Sequence, residues 1–208
     1  MLNKQKLQLL CASIAFSIFL GLALGVFLQS EWIDTVNHFG QQLIQKRSPI
    51  ADTFFTNITQ LGSVTFTSFV TLLLSAFLIS QRQYRLFLFL IVNIAISAGL
   101  MTQLVKYTIK NPRPSAQLIP EYGYSFPSGH TMVSILLYGT IIIFVRLYIT
   151  NTWLKNSMQF LFLSLIVIIP VSRIYINVHY PSDILAGLAL GYSLLMLSHY
   201  IFNIGEQT

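Results

Sequence analysis

LFLFLIVNIAISAGLMTQLV, residues 86–105, contains no charged residue and runs directly into KYTIKNPRP, residues 106–114. A bilayer core of about 30 Å is crossed by about 17–25 apolar helical residues, so this stretch predicts a transmembrane helix ending on the cation Lys106. The same test applied outward finds uncharged windows at 7–30, 53–81, 122–145, 156–172 and 184–205. With 86–105 they predict six membrane-spanning helices. None of the windows alternates with period two, which argues against a membrane β-barrel. A helix satisfies its own backbone inside lipid, so an all-α integral membrane bundle is expected.

Composition agrees. Hydrophobic residues make up 54% of the 208 residues, charged residues only 9%, and the mean hydropathy is +0.68. An average soluble domain carries about 25% charge. Disorder, a coiled coil, a disulfide scaffold and an ordinary soluble enzyme are excluded. Short connections between spans predict one domain over 1–208. The net charge of +6 does not predict nucleic-acid binding, because the twelve Lys and Arg are scattered singly or in pairs between apolar windows. Cys11 is the only cysteine, so no intramolecular disulfide forms, and it reads as a small core or lipid-facing residue. The apolar run after Lys4 and Lys6 is longer than a signal-peptide core and lacks a small-x-small cleavage site. It is expected to remain as the first span.

Threading six spans from a cytoplasmic N-terminus puts six Lys and Arg on each side. Lys106, Arg113 and Arg173 belong to motifs; without them the count is six inside against three outside, which favours cytoplasmic N- and C-termini. Segment 31–47, EWIDTVNHFGQQLIQKR, repeats Trp32, Ile33, Val36, Phe39, Leu43 and Ile44 at helical spacing and predicts an amphipathic helix on the outer surface. His38 reads as an interfacial polar residue there. His199 reads as a helix-packing residue near the cytoplasmic end of span six.

Three polar clusters interrupt the apolar chain. KYTIKNPRP carries Lys106 and Arg113. FPSGH, residues 126–130, carries Ser128, Gly129 and His130. SRIYINVHYPSD, residues 172–183, carries Ser172, Arg173, His179 and Asp183. They fall at the end of span three, the start of span four, the end of span five and the start of span six. Successive spans alternate direction, so all four junctions lie on one side of the membrane. The connection 106–126 is rich in proline and is expected to be rigid.

Three cations against one carboxylate describe an anion site. Arginine's planar fork suits phosphate oxygens, and Ser128 and Gly129 precede a helix whose free N–H groups attract an anion. Phosphate is the expected ligand. His179 and Asp183 are spaced i, i+4, which predicts one helical turn with a carboxylate orienting the imidazole. His130 is then placed to protonate a leaving oxygen and later deprotonate water. An isolated histidine or arginine at a membrane surface is more often structural. A zinc site is disfavoured, since the neighbouring cations repel a metal and no third ligand is evident. It is the convergence of all these residues on one side that points to a site.

K-x6-RP, PSGH and SR-x5-H-x3-D resemble the three-part signature of the type 2 phosphatidic acid phosphatase (PAP2) superfamily. The matching residues are Lys106, Arg113 and Pro114; Pro127 to His130; and Ser172, Arg173, His179 and Asp183. The resemblance spans 106–183, with the six-helix plan extending it. It implies a phosphohistidine formed on His179, leaving-group assistance from His130, and phosphate held by Lys106, Arg113, Arg173 and the Ser128–Gly129 backbone. It also implies no metal or other cofactor and a site opening towards the outer leaflet of a bacterial cytoplasmic membrane. Compact bacterial members of the family act on phosphatidylglycerophosphate or undecaprenyl diphosphate, so a lipid phosphate is the expected substrate and membrane lipids the surroundings. Glu121, Tyr122, Tyr124 and Phe126 are candidates for lining the substrate's access route, or equally an interfacial aromatic belt. Lys110 and Asn111 fit no fixed role. Two further readings stay open: a lipid phosphotransferase using the same residues, and a non-catalytic membrane protein that binds anionic lipid. Soluble haloperoxidases share the site plan but not the apolar spans. The oligomeric state is not legible.

Overall fold

Hydropathy and capping account for the helices of the computed structural model, which describes residues 4–205; residues 1–3 and 206–208 of the expected 1–208 domain lie outside the described residues. In chain order the helices are α1 (Lys4–Phe27), α2 (Glu31–Ile44), α3 (Pro49–Ile58), α4 (Val64–Ser80), α5 (Tyr84–Ile109), α6 (Gly129–Tyr148), α7 (Thr152–Tyr175) and α8 (Pro181–Ile201). No strand occurs among the described residues. The helices α1, α5, α6, α7 and α8 are each long and apolar enough to cross a membrane. A sixth span is made by α3, a 3-10 turn at Thr59–Gly62, and α4, bent by 44°.

Two expected windows differ in detail. Window 53–81 breaks because Ser63 leaves the helical conformation (ψ 155°) and its hydroxyl accepts the Phe66 N–H at 3.2 Å, starting α4 afresh. Window 122–145 begins as loop: α6 starts only at Gly129, where the Ser128 hydroxyl accepts the Thr131 N–H at 3.4 Å. Residues 122–128 lack charge but also lack helical backbone, with Gly123 at φ +76° and Pro127 just before the cap.

The core is built around α6, whose Met132, Leu136 and Leu137 are fully buried. It crosses α8 at very short range. A Cβ on Gly191 would lie 2.1 Å from Ile135, one on Gly139 would lie 2.5 Å from Leu195, and one on Gly187 would lie 2.9 Å from Thr131. Small residues four apart let two helix backbones approach in this way. This crossing brings the start of α6, with His130, against the start of α8, with Asp183. Wide π-helical turns at Val92–Met101 in α5 and Ser134–Tyr138 in α6 pack on each other.

The far end is locked by polar contacts. Ser198 Oγ donates to Asn93 Oδ1 at 2.8 Å, and Arg85 donates to the carbonyls of Phe202 and Asn203 just past α8. His199 meets Gln8 of α1 at 3.2 Å, in keeping with its expected packing role. At the other end α2 buries Ile33 and Asn37 and lies across the α7–α8 turn. Asn37 Oδ1 accepts the Ser182 N–H at 3.0 Å, and Gln45 Nε2 donates to Asn177 Oδ1 and to the Ile174 carbonyl, each at 2.8 Å. His38 borders a polar cavity of about 440 Å³ there, beside Asp34, Asn111 and Tyr180.

The α6–α8 crossing makes a stability prediction. Gly191→Ala puts a methyl into Ile135, and overpacking of this kind costs about 1–3 kcal/mol. The variant should melt several degrees below the wild type in detergent. An unchanged melting temperature would show that the crossing is not held by close approach.

Candidate active site

Aspartate 183 sits at the first turn of α8, fully buried, and is held on both oxygens. Its Oδ2 accepts the Tyr180 N–H at 2.9 Å and lies 3.2 Å from His179 Nδ1. Its Oδ1 lies 3.4 Å from both Asn111 Nδ2 and Ser125 Oγ. His179 is not on the helix: it precedes the cap residue Tyr180, in the turn that joins α7 to α8. The i, i+4 pair therefore forms, but as a loop residue reaching a helix-capping carboxylate rather than as one helical turn. Proline at the first helical position fixes where α8 starts and so keeps His179 outside it.

The tautomer of His179 follows from its neighbours. Arg113 Nη1 lies 3.1 Å from Nε2, and a guanidinium only donates, so Nε2 is the lone-pair nitrogen. The ring proton is then on Nδ1 and goes to Asp183. Burial is the main cause holding the His179 pKa well below 6.5, and the charges of Arg173, Arg113, Lys106 and His130 push it the same way. The imidazole is neutral at physiological pH.

Each cation is anchored on the protein with part of its capacity left over. Arg173, 2% exposed, donates from Nη1 to Thr59 Oγ1 at 3.0 Å and from Nη2 to Glu121 Oε1 at 2.5 Å. Its Nε is buried with no hydrogen-bond partner among the described residues. Arg113 donates from Nε to the Gly123 carbonyl at 3.2 Å and from Nη1 to the Val178 carbonyl at 2.9 Å, while Nη2 lies 3.7 Å from Glu121 Oε2. Lys106 Nζ donates to the carbonyls of Tyr124 and Ser125, tying the long loop back to the end of α5. Three N–H bonds are available to an ammonium, so one remains. Burial lowers the Arg113 pKa, and nearby Glu121 and Asp183 oppose that shift.

The sequence counted one carboxylate among these cations; the fold adds a second. Glu121 bridges Arg173 and Arg113 and lines the main cavity. The other candidates for the access route lie elsewhere. Phe126 is fully buried and stacks on Phe19, so it is a core residue and cannot line a route. Tyr122 is 88% exposed and Tyr124 packs edge-on against Tyr107, and neither borders the cavity. Ser128 also differs from expectation. Its hydroxyl caps α6 and its N–H donates to the Asp183 carbonyl at 3.2 Å, so neither points to a ligand. The first open amides at this helix start belong to Gly129 and His130.

Lys106, Arg113, Glu121, Gly129, His130 and His179 all border one cavity of about 600 Å³. It continues away from them between α4 and α5, past Thr67, Thr71 and Ser75 on one side and Thr102, Gly99 and Ala95 on the other. Gly62 approaches His130 closely, since a Cβ there would come within 3.1 Å of its ring. Asn111 and Ser125, to which sequence reasoning gave no role, hold Asp183. Asn111 Nδ2 also donates to Ser125 Oγ at 3.0 Å. The sequence held no periodic signal for either; both are uncharged loop residues whose partner is 58 or more positions away.

The whole fold is similar to a solved transmembrane PAP2-type phosphatidylglycerolphosphate phosphatase from Bacillus subtilis, with a TM-score of 0.81 at 24% identity, covering 94% of this chain and 98% of that one. In sequence the chain is 29% identical over 153 residues to phosphatidylglycerophosphatase B of Bacillus subtilis, covering 73% of this chain and 75% of the relative. It is 30% identical over 138 residues to an undecaprenyl-diphosphatase of Sulfolobus acidocaldarius, covering 62% of this chain and 61% of that protein. The PAP2 superfamily model matches residues 86–205, which take in every motif residue gathered around the cavity, and on that match this multi-pass membrane protein belongs to the PAP2 superfamily.

Proposed function

We propose that the protein is a lipid-phosphate phosphohydrolase that works without a metal, through a phosphohistidine on His179. The observation that carries this reading is the tautomer of His179: an unprotonated Nε2 beside Arg113, with Asp183 holding the opposite nitrogen. The names of its relatives point to phosphatidylglycerophosphate and undecaprenyl diphosphate as substrates, with phosphatidate-type lipids in the same chemical class.

In this reading a terminal phosphate takes over the arginines from Glu121. Its oxygens accept from Arg173 Nη2, from Arg113, from Lys106 and from the amides of Gly129 and His130. Nε2 of His179 attacks phosphorus, the P–O bond to the lipid breaks, and His130, which takes up a proton once the bound phosphate's negative charge offsets the neighbouring cations, gives it to the leaving oxygen. His130 then takes a proton from water, which attacks the phosphohistidine; the P–N bond breaks and inorganic phosphate leaves. Asp183 stabilises the His179 imidazole through both steps. The fixed cations supply the charge stabilisation that metal ions provide in many phosphoryl-transfer enzymes. The site end of the bundle faces outward from a bacterial cytoplasmic membrane, with both termini inside.

Three outcomes test this. Purified protein should release phosphate from these lipids in EDTA. His179→Ala should abolish release, and Asp183→Asn should lower kcat by about 10²–10⁴-fold. Base-quenched reactions with labelled lipid should leave label on the wild type and none on His179→Ala; dependence on Mg²⁺ or activity in that variant would sink the mechanism. Because His179 resists protonation, the acid limb of kcat/KM should lie well below 6.5 once the substrate's own ionisation near about pH 6 is allowed for. A limb at 6.5 or above would mean that His179 is not held neutral. For orientation, a cysteine replacing exposed Tyr122, in a Cys11→Ala background, should react with an impermeant maleimide on intact cells. Labelling only after permeabilisation would reverse the topology.

A further inference from the structure

The amphipathic helix α2 has no part in the chemistry above, yet it touches the nucleophile's turn on both sides of His179. Before His179, Gln45 Nε2 donates to the Ile174 carbonyl and to Asn177 Oδ1, each at 2.8 Å, and Gln41 Nε2 donates to the same Asn177 oxygen at 3.2 Å. After His179, Asn37 Oδ1 accepts the Ser182 N–H at 3.0 Å, and a Cβ on Gly40 would lie 2.6 Å from Pro181. Asn37 and Gln41 are one helical turn apart on α2, and Gln45 caps the helix one turn later.

Asn177 is the centre of these contacts. Its backbone is left-handed, with φ +56°. Glycine and asparagine adopt this conformation most readily, so either would satisfy the turn itself. What asparagine adds is a side-chain amide, and both ends of it are used across the fold. Oδ1 accepts from the two glutamines of α2. Nδ2 donates to the Ser115 carbonyl at 2.6 Å and lies 3.4 Å from the Ala116 carbonyl. One amide thus joins α2, the α7–α8 turn and the long loop. Loop and turn are paired on either side of it: the Leu118 N–H donates to the Ile176 carbonyl at 2.9 Å, and Arg113 donates to the Val178 carbonyl at 2.9 Å. Arg113 and His179, whose side chains meet at 3.1 Å, come from segments 66 positions apart in the chain.

We propose that Asn177 is a positioning residue: braced by Gln41 and Gln45 of α2, it holds the loop that carries Arg113 in register with the turn that carries His179. The assignment rests on the phosphatase reading above and gives α2 a part in it. Asn177 does not border the main cavity, so its effect passes through Arg113. A misplacement of about 1 Å at a reacting pair can cost about a hundredfold in rate, so a register bond outside the site has a measurable reach.

The test is a double-mutant cycle between Asn177→Gly and Arg113→Lys in detergent-purified protein. It is read as kcat/KM for a lipid phosphate and, by calorimetry, as affinity for orthovanadate. Asn177→Gly keeps the left-handed backbone and removes only the amide. It should lower both readouts by about tenfold or more in the wild type, and by less than about twofold in Arg113→Lys, because the guanidinium being positioned is gone. A merely structural asparagine would cost the same factor in both backgrounds, and that result overturns the proposal, as does a loss below about twofold in the wild type. Gln41→Ala/Gln45→Ala should lower kcat/KM by about threefold or more and add nothing to Asn177→Gly; full activity in that variant overturns the role of α2. Melting curves establish that each variant is folded. If Asn177→Gly does not fold, Asn177→Asp replaces it in the cycle, since it keeps the acceptors for the glutamines and loses the donors to the loop. Absence of phosphate release from every lipid would fail the phosphatase reading instead, and the cycle is then decided on vanadate affinity alone. A wild type that binds no vanadate overturns both.

Discussion

A guanidinium that is 2% exposed at the end of a transmembrane helix constrains everything around it. Arginine cannot shed its charge by deprotonating, so its burial has to be compensated by neighbours. For Arg173 those neighbours come from distant parts of the chain. Thr59 arrives because the second span breaks at Gly62 and Ser63, and Glu121 arrives because the long loop is tied back by Lys106. Even so, the compensation is incomplete, since among the described residues Nε has no partner. A site of this kind is organised before any ligand enters, and preorganised donors stabilise developing charge without rearranging during the reaction.

Glu121 gives that arrangement a resting state. Two arginines and a lysine around one aspartate would repel each other and draw counterions. One carboxylate bridging both arginines holds them side by side. Its side chain is 31% exposed whereas Arg173's is 2% exposed, so the anion is the partner with room to leave. The ion pair is therefore asymmetric: one side is fixed by packing, the other is open to the cavity.

Much of this was legible in the sequence, for identifiable reasons. Charge-free windows reveal spans because bilayer thickness sets their length, and the parity of six spans alone put Lys106, His130, Arg173 and His179 at one end. The misses arose where uncharged residues do something other than span. Residues 122–128 look apolar but form loop, and Phe126 beside the motif is core rather than access route. The His179–Asp183 spacing was right but its helix was not, because Pro181 starts α8 two residues late. Asn111 and Ser125 act across 58 or more residues of chain, through contacts that no local pattern encodes. Gly187 and Gly191 carry the helix crossing that aligns both halves of the site, and in the sequence they are two glycines in an apolar run.

The site divides by chain segment as well as by chemistry. The motif residues around the cavity lie in the 86–205 stretch matched by the family model, on α5 to α8 and their loops. The wall that carries Thr67, Thr71 and Ser75 lies on α4, before that stretch begins. A shared phosphate end therefore says little about the lipid. Relatives of 29% and 30% identity carry the names of different lipid substrates, a phosphatidylglycerophosphate and an undecaprenyl diphosphate. If the phosphate end is fixed by the need to compensate buried arginines, the freedom to choose a lipid has to reside in the groove.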